Sequence, residues 1–412
     1  MIQFPREFLW GATLPGHPIE GANFAADWWA WEQRPGRIAD KSNSQIAAGH
    51  YERYESDLDL ARQLSMKSLV FSVEWSRVEP VLGEYDDAAL AHYRDVARAM
   101  KRRQTEPICA LWNVTLPKWL ADRGGWLCSD APHAFARYAA RVAEKIAPVC
   151  KRWIPLTTPV HYVQHAYIDG AWPPQKRRSD LGVKALRNLA LAHRKSADTI
   201  RSLQGDASIG VSVRGQLLDV ANAWSAWDAR AARTEETFAN HAFQGLLRES
   251  EFDFTALSYA GAIDSVRFAA WRPLRRFRRV LADASESFPE GLLRLIREMR
   301  RYRKPVLIAG VGTATQDEAA RCQFLLEHVL QTHRAIAEGC DVRGFVYGPM
   351  LDGFEWHAGY TQRLGLVAVD RETLTRAANP AAYLLKDLSD TNGVRRSAVM
   401  TYCPGMTVDG AA

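Results

Sequence analysis

His161 and His165 stand four positions apart in a stretch that reads as helix, so both can lie on one face. Two imidazoles so placed can hold a metal or relay a proton. The plainer reading is preferred, that of ordinary polar helix positions, because no His-Glu-x-x-His or comparable cluster accompanies them. Gly310-Val311-Gly312 has the glycines of a phosphate-cradling loop but lacks the full spacing. Cysteines at 109, 128, 150, 322, 340 and 403 form neither a CxxC pair nor a zinc spacing. Glu74 reads as the structural partner of an arginine, Arg77 or Arg53. The 14 tryptophans can stack on sugar faces or simply fill a core, and composition leaves both open. No motif calls for a metal or a cofactor.

These residues hang on a regular alternation. Candidate strands are Leu9–Ala12, Lys67–Val73, Thr105–Leu111, Arg152–Thr157, Ser208–Arg214, Phe252–Ser258, Pro305–Ala309 and Val342–Tyr347. Between most of them run stretches with apolar residues at three and four spacing. These are Glu55–Leu64, Ala88–Arg103, Pro132–Ile146, Leu181–Leu203, Thr234–Arg248, Glu290–Tyr302 and Asp317–Glu338. Strand–helix alternation repeated eight times predicts an α/β protein, a single (β/α)₈ TIM barrel over residues 1–388. Its chemistry then belongs on the loops after each strand. Residues 389–412, with Gly, Pro and small polar residues, are expected to be a mobile tail. Asn23–Gly49 reads as one long loop, a length that often accompanies function.

The formal net charge is +6 over 412 residues. Much of it lies in 271–304, as WRPLRRFRR (271–279) and RLIREMRRYRK (294–304). The preferred reading is a solvated helix face. The sharper one is a contact with a protein partner or an anionic membrane surface. Nucleic acid is excluded as a partner, since no nucleic-acid motif joins the charge. The opening MIQFPREFLW lacks a basic stretch followed by an apolar one. No apolar run approaches the roughly 20 residues of a transmembrane segment. A cytoplasmic, reducing setting is the expectation.

Several blocks carry a resemblance. They are FPREFLWGATLPGHPIEGAN (4–23), DWWAWEQRPGRI (27–38), FSVEWSRVEPVLGEYD (71–86), TLPKWLADRGGW (115–126), KPVLIAGVGTAT (304–315), LDGFEWHAGYTQRLGLVAVD (351–370) and NPAAYLL (379–385). In that order they resemble glycoside hydrolase family 1, the β-glucosidase and β-galactosidase family, in the form of its archaeal and actinobacterial members. The likeness spans residues 4–388 and implies a barrel whose two glutamates retain anomeric configuration. The acid/base of the family lies in Asn-Glu-Pro after the fourth strand, where this chain has Thr157-Thr158-Pro159. The nucleophile lies in Thr-Glu-Asn-Gly after the seventh, where it has Ala309-Gly310-Val311-Gly312. The arginine that pairs with the nucleophile is matched by Val70, the sugar-binding glutamine by Pro18 and the sugar-binding histidine by Asn113. Asn-Tyr-Tyr after the sixth strand reads Ser258-Tyr259-Ala260, and a tryptophan before the last loop is matched by Gly348. Charge and counter-charge are replaced together, which describes a pocket rebuilt as a set.

What persists is Glu355-Trp356, matching the Glu-Trp pair that binds sugar hydroxyls, together with Glu20. Trp112 and Tyr259 complete the expected ligand-binding set, with Trp112 filling part of an enlarged, more neutral cavity. The alternative for Glu355 is a structural salt bridge, for example with Arg363. The resemblance therefore implies a pseudo-glycosidase that binds a sugar, a glycoconjugate or a partner protein. Two alternatives stand beside it. One is a β-glucosidase-like hydrolase, a transferase or a lyase, working on a glycoside or activated sugar with relocated groups such as Glu355, Asp352 or a histidine. The discriminating observation is whether a titratable group besides Glu355 lines the cavity. The other is a non-catalytic scaffold in polysaccharide or deoxysugar biosynthesis.

Overall fold

In the computed structural model eight parallel strands close into a barrel. They are β1 (Leu9–Leu14), β2 (Ser68–Ser72), β3 (Glu106–Ala110), β4 (Arg152–Ile154), β5 (Ser208–Gly215), β6 (Phe254–Tyr259), β7 (Val306–Val311) and β8 (Val342–Tyr347). Each pairs with its sequence neighbour, and β8 closes onto β1. All eight expected strands are therefore barrel strands. The structure describes residues 2–220, 222–261, 264–268, 277–280 and 287–406.

Among the described residues, eight helices of ten or more residues lie outside the strands: α1 (His50–Gln63), α2 (Asp87–Arg102), α3 (Ala131–Ile146), α4 (Ser179–Leu203), α5 (Ala226–His241), α6 (Glu290–Met299), α7 (Glu318–Ala337) and α8 (Pro380–Thr391). Several start where a side chain satisfies free backbone N–H groups. Asp86 caps α2, Asp317 caps α7 and Asn379 caps α8. Strand alternation then sorts the core into two layers. In β2, Val70 points into the barrel with Ile108, Ile154, Phe254 and Leu307, while Leu69 and Phe71 face the helices.

Three expectations need correction. The helix expected at 234–248 runs instead over Ala226–His241, because Ser225 caps it through the Asp228 N–H. The long loop after Asn23 contains a short helix, Asp27–Glu32. In the C-terminal segment, residues 389–406 hold regular structure rather than the expected tail from 389, and 407–412 lie outside the described residues. Gly393–Val394 pair antiparallel with Ile2–Gln3, and Arg396–Tyr402 is helical with Ala398 and Val399 buried. Its order comes from pairing with the opposite chain end, which local composition does not register.

Of the basic 271–304 stretch, residues 271–276 and 281–286 lie outside the described residues. In α6, Arg294 pairs with Glu236 at 2.8 Å and Arg297 with Glu338 at 2.6 Å. These intramolecular pairs fit the solvated-face reading there. Among the described residues, no helix is long and apolar enough to cross a membrane.

Candidate functional site

A cavity of about 430 Å³ opens at the C-terminal ends of the strands. Its floor is the top of the barrel core: Val70, Ala110, Ile154 and Ala256. One wall comes from the ends of β4 to β7. Thr158, Ser212, Arg214, Ser258 and Gly310 stand there. Arg214 and Ser258 are register partners across β5 and β6. The Thr158 N–H donates to Ser212 Oγ at 3.1 Å. Gly310 has φ +98, and a Cβ there would lie 3.4 Å from Ser258 Cβ. Thr158 and Gly310, on different strand ends, thus line one cavity, and so do Pro18, Asn113 and Gly348.

The roof is aromatic and titratable. His161 and His165 lie where a short helix (Pro159–Val163) widens into a π-helical turn (Gln164–Asp169). Turns of that kind often accompany functional sites. Both imidazoles sit against Trp172, at 5.2 and 4.7 Å between ring centroids, and line the cavity. Trp172 Nε1 donates to His357 Nδ1 at 3.2 Å, so a neutral His357 carries its proton on Nε2. Trp356 packs 5.7 Å from Trp172 and 4.7 Å from Trp28.

Among the described residues Glu355 is the one carboxylate of the lining. Enclosure pushes its pKa up to about 8, and the like charge of Asp352 adds to this. Arg214 pulls the other way and is outweighed. At neutral pH Glu355 is therefore mostly protonated and can donate a hydrogen bond as well as accept one. Burial lowers the pKa of His357.

The remaining sequence candidates lie elsewhere. Glu20 is buried in an ion pair with Arg77 at 2.8 Å and accepts from Tyr93 Oη at 3.0 Å. Glu74 is structural as expected, but with other partners: it accepts from the His17 N–H at 2.8 Å and from Asn23 Nδ2 at 3.0 Å. Trp112 is 1% exposed, edge-on to Trp126 and Tyr162 behind the barrel wall, and fills no part of the cavity. Tyr259 follows inward-facing Ser258, so alternation turns it outward, and its Oη donates to Phe288 O at 2.9 Å. The cation acting on Glu355 is Arg214; Arg363 acts on Asp352 instead. Asp352 accepts from the Gly365 N–H at 2.8 Å and is not in the lining.

Arg214, Trp172 and His357 are among the lining groups that escaped the sequence reading. Arg214 was findable, because Gly210, Ser212 and Arg214 are alternate residues of one strand and Arg214 is at its mouth end. For Trp172 and His357 no local pattern gives a signal.

Residues 1–269 and 280–394 match the sequence profile of Glycosyl hydrolase family 1. The chain belongs to this family. Beta-glucosidase A of Acetivibrio thermocellus is 25% identical over 445 residues, covering 95% of this chain and 99% of that one. Thermostable beta-glucosidase B of Thermobispora bispora is 29% identical, covering 96% and 92%. Among solved structures, the beta-glycosidase from Pyrococcus horikoshii superposes with a TM-score of 0.92 at 28% identity, covering 98% of this chain and 99% of that one. The family 1 β-glucosidase from Thermotoga maritima in complex with isofagomine lactam gives 0.88 at 25% identity, covering 95% and 100%. This glycosyl hydrolase family 1 chain thus shares their barrel over 95–98% of its length, with Thr158 and Gly310 at two strand ends of the mouth.

Proposed function

We propose that this family 1 chain binds a sugar or glycoconjugate at its barrel mouth and does not hydrolyse glycosides by the retaining route. One observation carries the reading: Glu355 is the single carboxylate of the cavity lining among the described residues. Retention needs two carboxyl groups about 5–5.5 Å apart, one as acid and one as nucleophile. The Thr158 hydroxyl is too weak an acid for the first role, and Gly310 has no side chain for the second. Positioned proton transfer alone is worth about 10²–10⁴-fold in rate. Trp356 and Trp172 offer stacking faces, and Glu355 offers a hydrogen bond to a hydroxyl. We assign the protein to the cytoplasm, a reading that its six free cysteines support.

The test pairs turnover with binding. Aryl β-glucosides, β-galactosides and β-fucosides should show negligible turnover. Calorimetry or ligand-observed NMR across a glycan panel should find binding in the millimolar to high-micromolar range, weakened in Trp356→Ala. Turnover abolished by Glu355→Gln overturns the reading, as does the absence of binding to any sugar.

One observation favours a second reading, an enzyme with relocated groups. Titratable groups besides Glu355 do line the cavity: His161, His165, Arg214 and His357. Glu355 with its proton supplies an acid in one enclosure with three imidazoles. Product formation from an activated sugar, lost in Glu355→Gln, would select this reading.

A further inference from the structure

We propose that a second cavity, beside the mouth, binds a neutral sugar ring through Asp27, Trp31 and Tyr162. This is a separate site, and it does not rest on the reading of the mouth.

The cavity holds about 230 Å³ between the short helix Asp27–Glu32, the loop after β3 and Pro173-Pro174. Trp172 lines the mouth, while Pro173, the next residue, lines this cavity. Trp28 lines neither and packs against both sides, 5.6 Å from Trp172 and 5.0 Å from Trp31 between ring centroids. A wall of indoles thus divides the two spaces.

Asp27 is anchored by one of its oxygens. Oδ1 accepts from the Trp28 and Leu116 N–H groups, each at 2.8 Å, and the Asp27 N–H donates to Leu116 O at 2.8 Å. Among the described residues, Oδ2 accepts no hydrogen bond. Asp27 is 8% exposed, and enclosure pushes its pKa up to about 7 in spite of the two backbone donors. Two buried donors share the lining. Trp31 is buried and has no partner for its Nε1–H among the described residues. The hydroxyl of fully buried Tyr162 has only the neighbouring Tyr167 hydroxyl beside it. Buried polar groups are nearly always paired, so these unmet groups on one lining mark the place of a partner.

The mixture of donors and acceptor selects the ligand. An anion would face the Asp27 carboxyl. A cation would satisfy Oδ2 but offer no acceptor to the indole N–H. A hydroxyl both donates and accepts, so neighbouring hydroxyls of one ring can serve Asp27, Trp31 and Tyr162 together. The cations of the lining stand at its exposed edge, Arg34 and Lys118, and Lys118 pairs with Asp122 at 2.6 Å. Leu116, Pro173 and the Trp31 ring supply apolar surface for the C–H face of a sugar. The volume lies below the roughly 300–1,000 Å³ of drug-sized sites, which suits one ring and not a chain.

The test uses the full chain with isotope-labelled tryptophan, followed by NMR. Trp31→Phe assigns the Trp31 indole N–H signal, and Trp356→Phe assigns that of Trp356. Methyl β-glucoside should move the Trp31 signal along a saturating curve in the millimolar range. Methylammonium chloride and inorganic phosphate should leave it in place. Asp27→Asn keeps an oxygen for the two backbone N–H groups and turns the free acceptor into a donor, so affinity should fall about tenfold or more. Tyr162→Phe should lower it about twofold to tenfold. If Asp27→Asn does not fold, Tyr162→Phe and the probe series decide. The Trp31 response should persist in Trp356→Ala. A Trp31 signal unmoved by the glucoside, or moved equally by methylammonium or phosphate, would overturn the inference. So would an affinity unchanged in both variants, or a response lost in Trp356→Ala. The Trp356 signal reports the mouth separately, so a silent mouth beside a responding Trp31 refutes sugar binding there and leaves the second site standing.

Discussion

Glu355→Gln isolates the least ordinary electrostatic feature of the cavity. The folded protein holds the Glu355 pKa at about 8 against a usual 4.5. Below 4.5 the folded and unfolded chains both keep this proton. Between 4.5 and about 8 the folded chain keeps it and the unfolded chain releases it, so stability falls as pH rises. Above about 8 both are ionised and the slope ends. Each pKa unit corresponds to about 1.4 kcal/mol, which puts the full effect at roughly 4–5 kcal/mol as an upper limit. Water in the open mouth screens the charge, so about 2 kcal/mol is the working expectation. At about 2.1 cal/mol/K of unfolding entropy per residue, a chain this long shifts by only about 1 °C per kcal/mol. Glutamine keeps the shape of the protonated acid and does not titrate. Thermal unfolding from pH 5 to 8.5 should therefore show the wild type losing about 2–5 °C relative to Glu355→Gln, with the other acidic groups cancelling in the difference. Parallel melting curves across that range would refute a protonated Glu355, and with it the single-acid account of the cavity.

Restoring Thr158→Glu and Gly310→Glu together should not recover hydrolysis at the rates of active relatives. The new nucleophile would lack its cation at Val70, and φ +98 at residue 310 adds about 1–3 kcal/mol of backbone strain. Adding Val70→Arg should be required at minimum, and aryl-glucoside assays of the double and triple variants check this. Arg77→Met should cost about 3–5 kcal/mol in chemical denaturation, because it strands buried Glu20 without its ion pair. Sugar affinity should be unchanged in that variant, since neither residue lines the cavity.

Much of the barrel is legible along the chain because its signals are local. Strand alternation and helical periodicity repeat within a dozen residues, and each of the eight strands lies where that pattern puts it. The substitutions at Val70, Thr158 and Gly310 are legible for the same reason, each lying in a short recognisable block. Side-chain direction was harder. Ser258 and Tyr259 are adjacent, and choosing the tyrosine as the ligand contact took the wrong phase of a period-two strand, the same phase that hides Arg214. The C-terminal segment was read as mobile because its partner, Ile2–Gln3, is at the other end of the chain.

The amino-acid order alone settles the alternation, the closed barrel it builds and which residue types stand at each strand end, since these depend on backbone periodicity and identity. Only the folded molecule decides the company each side chain keeps. It gives Arg77 to Glu20 rather than Glu74, and gathers His161, His165, Trp172 and His357 over one cavity from segments far apart in sequence. It also keeps Glu355 protonated near neutral pH. Ionisation depends on the solvent and charges within a few ångströms, and the chain brings those together only by closing the barrel.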